Sequence, residues 1–180
     1  MLVLKLAAIR APQDRFEQAY APGAFAGPGE DFAVAAPVAL AFDIYKDKDQ
    51  FRLVGRVQTT LELPCSRCVE PFTLSVDSSF DLRYLPRSQN VGEGEREVEE
   101  DDLSTSFYED ETIDLGQLMR EQFYLALPMK PLCREACRGL CPQCGTNLNR
   151  GTCDCRRDWE DPRLAPLKAL KQADTPGPGE

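Results

Sequence analysis

The chain has 180 residues, 42% apolar and 28% charged, a size and composition suited to one domain whose core closes without disulfide staples. Its net charge of −9 and pI near 4.7 oppose a sequence-blind nucleic-acid binder, which needs Lys and Arg to release counterions from phosphates. The absence of histidine excludes Ser-His and Cys-His nucleophile pairs, and no apolar run is long enough to predict a membrane-spanning helix.

Leu2, Val3, Leu4 and Leu6 predict a short first strand. This apolar run is brief and interrupted by Lys5, with no basic lead or clear cleavage site, so it does not read as a signal peptide, and a cytoplasmic chain is expected. Residues 11–31 are rich in Ala, Pro and Gly and predict an irregular linker. Residues 32–85 predict antiparallel sheet. A β-branched and aromatic run at 38–45 leads to a polar turn at 46–50. Alternation follows at Leu53, Val57, Thr59, Leu61 and Leu63, and again at Phe72, Leu74, Val76, Phe80 and Leu82. The two long strands flank PCSRCVEP, which places Cys65 and Cys68 at a hairpin tip.

Residues 89–102 hold seven acidic residues and one arginine, the composition of a solvated loop over 89–104 or of a docking surface for a basic partner. Phe107 and Tyr108 predict one more short strand. Asp114 predicts a helix N-cap before LGQLMREQFYLAL, whose apolar stripe is expected on the open face of the sheet. Pro128 and Pro131 end that helix. Asp161 and Pro162 predict a second, C-terminal helix to about Gln172, with Trp159 packed against it, and residues 173–180 predict a disordered tail. The expected architecture is α+β: an antiparallel sheet or partial barrel with a packed helix over 1–128. A cysteine-rich zinc module over 129–172 is expected to pack on it as one unit.

Eight cysteines carry the chemistry. Cys65 and Cys68 form a C-x-x-C pair, Cys133 and Cys137 a C-x-x-x-C pair, Cys141 and Cys144 a second C-x-x-C pair, and Cys153 and Cys155 a C-x-C pair. In a cytoplasmic setting such spacing reads as metal binding before disulfides. Zinc takes four ligands in a tetrahedron, and without histidine they must be thiolates, so eight cysteines predict two zinc ions. The preferred partition joins Cys141 and Cys144 with Cys153 and Cys155 through the turn-forming GTNLNRGT, and Cys65 and Cys68 with Cys133 and Cys137. The rival partition joins Cys133, Cys137, Cys141 and Cys144, leaving Cys65 and Cys68 with Cys153 and Cys155. Iron–sulfur ligation uses the same residue types. A thiol-redox enzyme is disfavoured because C-S-R-C lies between strands, away from any helix N-terminus that would lower an attacking thiol's pKa. No catalytic residue is assigned.

Charge is uneven: residues 129–171 carry nine Lys/Arg against five Asp/Glu, while residues 1–128 carry twelve against twenty-three. The arginines among the cysteines offset thiolate charge, or else contact RNA or an acidic partner.

LPCSRCVEPF, LALPMKPLC, GLCPQCGTNLNRGTCDC and DPRLAPLKAL occur in this order. Together they resemble the YceD family of large ribosomal RNA subunit accumulation proteins, over residues 38–170. The resemblance implies a non-enzymatic bacterial or organellar factor in large-subunit assembly, needed for 23S rRNA accumulation. Its expected partners are precursor ribosomal RNA, a large-subunit ribosomal protein, or both, with no membrane and no small-molecule substrate. The expected mechanism is a zinc-stabilised adaptor. The alternative is a metal-dependent redox sensor or thiol oxidoreductase.

Overall fold

The computed structural model describes residues 2–25, 29–89 and 104–155. The predicted C-terminal helix, Trp159, the tail and residues 90–103 of the acidic loop lie outside them. The chain divides into two compact units, one running to Cys137 and one starting at Arg138.

The first unit is mostly sheet. Its strands are β1 (Val3–Lys5), β2 (Gln13–Tyr20), β3 (Ala33–Val34), β4 (Val38–Asp47), β5 (Gln50–Pro64), β6 (Pro71–Pro86), β7 (Thr105–Tyr108) and β8 (Thr112–Asp114). The main sheet runs β2-β4-β5-β6-β7, with β3 paired to β5, and β1 and β8 form a separate two-stranded sheet. It is an open sheet, without barrel closure.

Side-chain alternation builds the core. Val38, Leu40, Phe42 and Ile44 of β4, and Phe51, Leu53, Val57, Leu61 and Leu63 of β5, are all buried. In the β5–β6 register Phe51 faces Tyr84, Gly55 faces Phe80 and Thr59 faces Val76, so one face of both strands is apolar. Gly55 is required by close approach: a Cβ there would overlap the Phe42 Cβ and the Ala41 carbonyl. At the β3–β4 junction the β5 pairing is interrupted, and the Thr59 hydroxyl donates to the Ala36 carbonyl at 3.0 Å.

The single α-helix among the described residues, α1 (Leu115–Ala126), covers the apolar face. Asp114 is its N-cap, accepting from the Gln117 N–H at 3.0 Å. Leu115, Leu118, Met119 and Phe123 are essentially fully buried. Buried Gln122 accepts from the Ser78 hydroxyl at 3.0 Å, so its amide reaches the core with a partner. Phe25 and Phe32 both pack edge-on against Phe123.

Several sequence expectations require correction. Residues 13–20 are strand, not irregular linker, and pair with β4 along the whole length of β2. β2 is an edge strand that turns only Phe16 and Tyr20 partly inward, with Phe16 stacked on Phe42 at 5.0 Å, so its sequence lacks the alternation of a half-buried strand. The sheet is not wholly antiparallel, because β7 pairs parallel to β6. β4 and β5 extend into the predicted polar turn, leaving Lys48 and Asp49 as the turn, with Lys48 at φ +55°. The helix ends at Ala126, and Leu125 is 75% exposed instead of continuing the apolar stripe.

Candidate metal centres

The hairpin tip between β5 and β6 presents the first thiol pair. The Cys65 N–H donates to the Glu70 carbonyl and the Val69 N–H to the Cys65 carbonyl, both at 2.9 Å, which folds C-S-R-C back on itself. Val69 completes the knuckle at φ +60°. The segment after α1 brings the second pair. The Ser66 N–H donates to the Pro131 carbonyl at 2.8 Å, and the Cys137 N–H to the Arg134 carbonyl at 3.0 Å. Arg67 fastens the two pieces together: its guanidinium donates to the carbonyls of Cys137, at 2.8 Å, and Glu135, at 3.1 Å.

The result is one cluster of Cys65, Cys68, Cys133 and Cys137 whose sulfurs all lie within 4.8 Å of one another. Cys65 and Cys137 sulfurs are 3.8 Å apart, as are those of Cys68 and Cys133. A tetrahedron of thiolates at the usual zinc–sulfur distance of ~2.3 Å has edges of ~3.8 Å. A disulfide would require ~2.05 Å. Cys65, Cys68 and Cys137 are buried and Phe72 and Leu132 pack beside them, while Cys133 is the exposed residue of the four, its sulfur still turned into the cluster.

The second cluster, Cys141, Cys144, Cys153 and Cys155, lies in the unit that begins at Arg138, and its four sulfurs also lie within 4.8 Å of one another. Its knuckle repeats the first. The Gly145 N–H donates to the Cys141 carbonyl at 3.0 Å, and Gly145 sits at φ +73°, a conformation that suits glycine. The loop to Cys153 is organised by asparagines. Asn149 Oδ1 accepts from the Arg138 N–H at 2.8 Å, and Asn147 Oδ1 accepts from the Asn149 N–H at 2.9 Å. The Asn147 carbonyl accepts from Arg150 and Gly151, both at 3.1 Å.

The structure thus groups the eight predicted thiols as in the first partition above. It also shows supporting residues that spacing did not single out: Arg67, Thr146, Asn147 and Asn149. Arg67 had a signal, being a cation inside a C-x-x-C loop, whereas the asparagines read only as turn formers.

Hydrogen bonding divides the thiols of each cluster. At Cys65, burial opposes the charged form, but hydrogen bonds from the backbone of Cys133, Cys68 and Arg67 outweigh it and bring the pKa to about 6. The Thr146 hydroxyl, 3.1 Å from the Cys144 sulfur, and then the Thr146 backbone bring Cys144 to about 6. Their neighbours go the other way. Loss of solvation and the adjacent thiols push Cys133 up to about 12, and the Cys144 thiol, followed by desolvation, pushes Cys155 up to about 12. Four sulfurs this close cannot all ionise without a cation among them, and a divalent ion removes that conflict. Each cluster therefore has the donor set and the spacing to hold a metal ion. Among the described residues no helix is long and apolar enough to cross a membrane.

Residues 53–171 match the family described as large ribosomal RNA subunit accumulation protein YceD. The chain is 29% identical over 164 residues to the chloroplastic large ribosomal RNA subunit accumulation protein YCED homolog 1 of Arabidopsis thaliana, covering 79% of this chain and 51% of that protein. It is 38% identical over 116 residues to an uncharacterized protein of Mycobacterium tuberculosis, covering 64% of this chain and 53% of that protein. It is 32% identical over 118 residues to the uncharacterized protein YlbN of Bacillus subtilis, covering 62% of each. The chain spans about half the length of the first two of these relatives. No solved structure matches it. The chain belongs to the YceD family of large ribosomal RNA subunit accumulation proteins.

Proposed function

We propose that the chain is a non-enzymatic factor supporting 23S rRNA accumulation, acting in the cytoplasm as an adaptor stabilised by two zinc ions. It would hold a large-subunit ribosomal protein, precursor rRNA, or both during assembly. The observation that carries this reading is the pair of four-sulfur clusters, each close enough to share an ion, in a member of this family. Zinc bound by four thiolates is closed to substrate, which favours a structural role.

The first cluster joins the β5–β6 tip to the segment leaving α1, between residues 65 positions apart in the chain. Cross-linking so distant a pair removes loop-closure entropy from the unfolded chain. Structural zinc commonly contributes on the order of 10 kcal/mol to small metal domains. The chain's own residues prepare the site: Arg67 fixes the carbonyls beside Cys137, and backbone N–H groups around the tip stabilise the Cys65 thiolate.

The test is replacement of the chromosomal copy by Cys65→Ser or Cys141→Ser, followed by the ratio of 23S to 16S rRNA. The reading expects that ratio to fall in both strains and to recover with the wild-type chain. An unchanged ratio in cells lacking the protein altogether contradicts it. Reversible zinc release on peroxide treatment, with graded loss of partner binding, would instead support the redox-sensor alternative.

A further inference from the structure

A cleft of about 670 Å³ lies in the first unit, bounded by the end of β6, the β7–β8 turn and the first half of α1. Tyr84 lines it and is only 7% exposed, yet its hydroxyl has no hydrogen-bond partner among the described residues. Among the described residues no side-chain oxygen or nitrogen shut off from solvent lacks a partner, so this hydroxyl keeps contact with solvent, and the cleft is the open space that Tyr84 borders. A phenol so deeply set, with no partner among the described residues, can take one from a ligand.

The walls around it are acidic. Glu109, Asp110, Asp114 and Glu121 line the cleft, and Arg87 is taken up by an ion pair with Glu109. Asp114 and Glu121 line the same cleft as Tyr84, and burial first, then their charges, hold the proton on its hydroxyl. The acidic side chains do not converge as metal ligands: among the described residues, the only groups close enough to share an ion are the two thiol clusters. Acceptors spread along a cleft fit several cations carried on one chain better than a single small ion. Phe107, 40% exposed, adds apolar surface for the methylene stems of lysine or arginine.

We propose that this cleft binds a lysine- or arginine-rich polypeptide segment, with one cationic side chain seated against the Tyr84 hydroxyl between Glu121 and Asp114. The proposal names the partner class for the adaptor reading and rests on it only in taking a ribosomal protein as the source of the segment.

The experiment measures fluorescence anisotropy of a labelled peptide of alternating lysine and alanine, titrated at low salt with the full-length zinc-loaded chain. Glu121→Gln combined with Asp110→Asn is expected to weaken binding about tenfold. Tyr84→Phe is expected to weaken it about threefold while leaving the thermal midpoint unchanged, since the lost hydroxyl has no partner among the described residues. Glu17→Gln combined with Glu62→Gln makes the same charge change on β2 and β5, away from the cleft lining, and is expected to shift affinity less than about twofold. Equal weakening by the two charge pairs would reduce the attraction to net charge and overturn the proposal, as would wild-type binding by both cleft variants. Single-stranded RNA that bound the wild-type chain but not the cleft pair would also overturn it. The assay contains no ribosome, so indifference of cellular rRNA levels to the chain would sink the assembly reading and leave the cleft result standing.

Discussion

Val69 and Gly145 occupy the same place after the second cysteine of their knuckles, both in the left-handed region, at φ +60° and +73°. Glycine takes that conformation without cost, whereas a β-branched residue is strained there. Val69 is also 64% exposed, so little burial offsets the strain. Val69→Gly is therefore expected to raise stability by about 1 kcal/mol in urea unfolding of the zinc-loaded chain. The left-handed turn was legible at Gly145 from residue type alone and illegible at Val69, where only knuckle geometry imposes it. Arg67 is a second residue whose role needed the structure, because its bonds reach the carbonyls of Glu135 and Cys137, far along the chain. Arg67→Ala is expected to make the first cluster release zinc to a chelator several-fold faster with the second unaffected. Arg67→Lys should recover little of this, because a single ammonium lacks the planar guanidinium fork.

At the scale of elements, the strands that pack a helix on one face were readable and the edge was not. β5 and β6 alternate because α1 covers one face and water the other. β2 pairs through its backbone, with polar side chains over most of its length, so periodicity could not reveal it. The parallel pairing of β7 was equally hidden, because four residues carry no sign of strand direction. At Gly55, β4 leaves no room for a side chain on β5. Gly55→Ala is expected to destabilise the first unit by about 2 kcal/mol, read as a lower urea midpoint at unchanged slope. The α1 start was legible down to its cap, and Asp114→Ala is expected to cost about 1 kcal/mol by the same measurement.

At the scale of the whole molecule, two kinds of stability coexist. The unit ending at Cys137 has a continuous apolar core of sheet and helix. The described part of the unit starting at Arg138 is held by turns, asparagine side chains and its thiol cluster, with Leu140 itself 37% exposed. Chelation should therefore abolish amide-exchange protection around Cys141 and Leu148 first, while β4, β5 and α1 retain theirs. Cysteine spacing made the candidate centres legible, because each knuckle is a local structure. The Tyr84 cleft was not legible, because it joins Tyr84, Asp110 and Glu121 from three elements with no shared motif.

Native mass spectrometry of the reduced chain tests the central claim most directly. The account predicts two zinc ions on the wild type and one each on Cys133→Ser and Cys141→Ser, with none left when the two changes are combined. A wild-type chain that carries no metal after purification in excess zinc, and keeps its fold without it, would contradict the account.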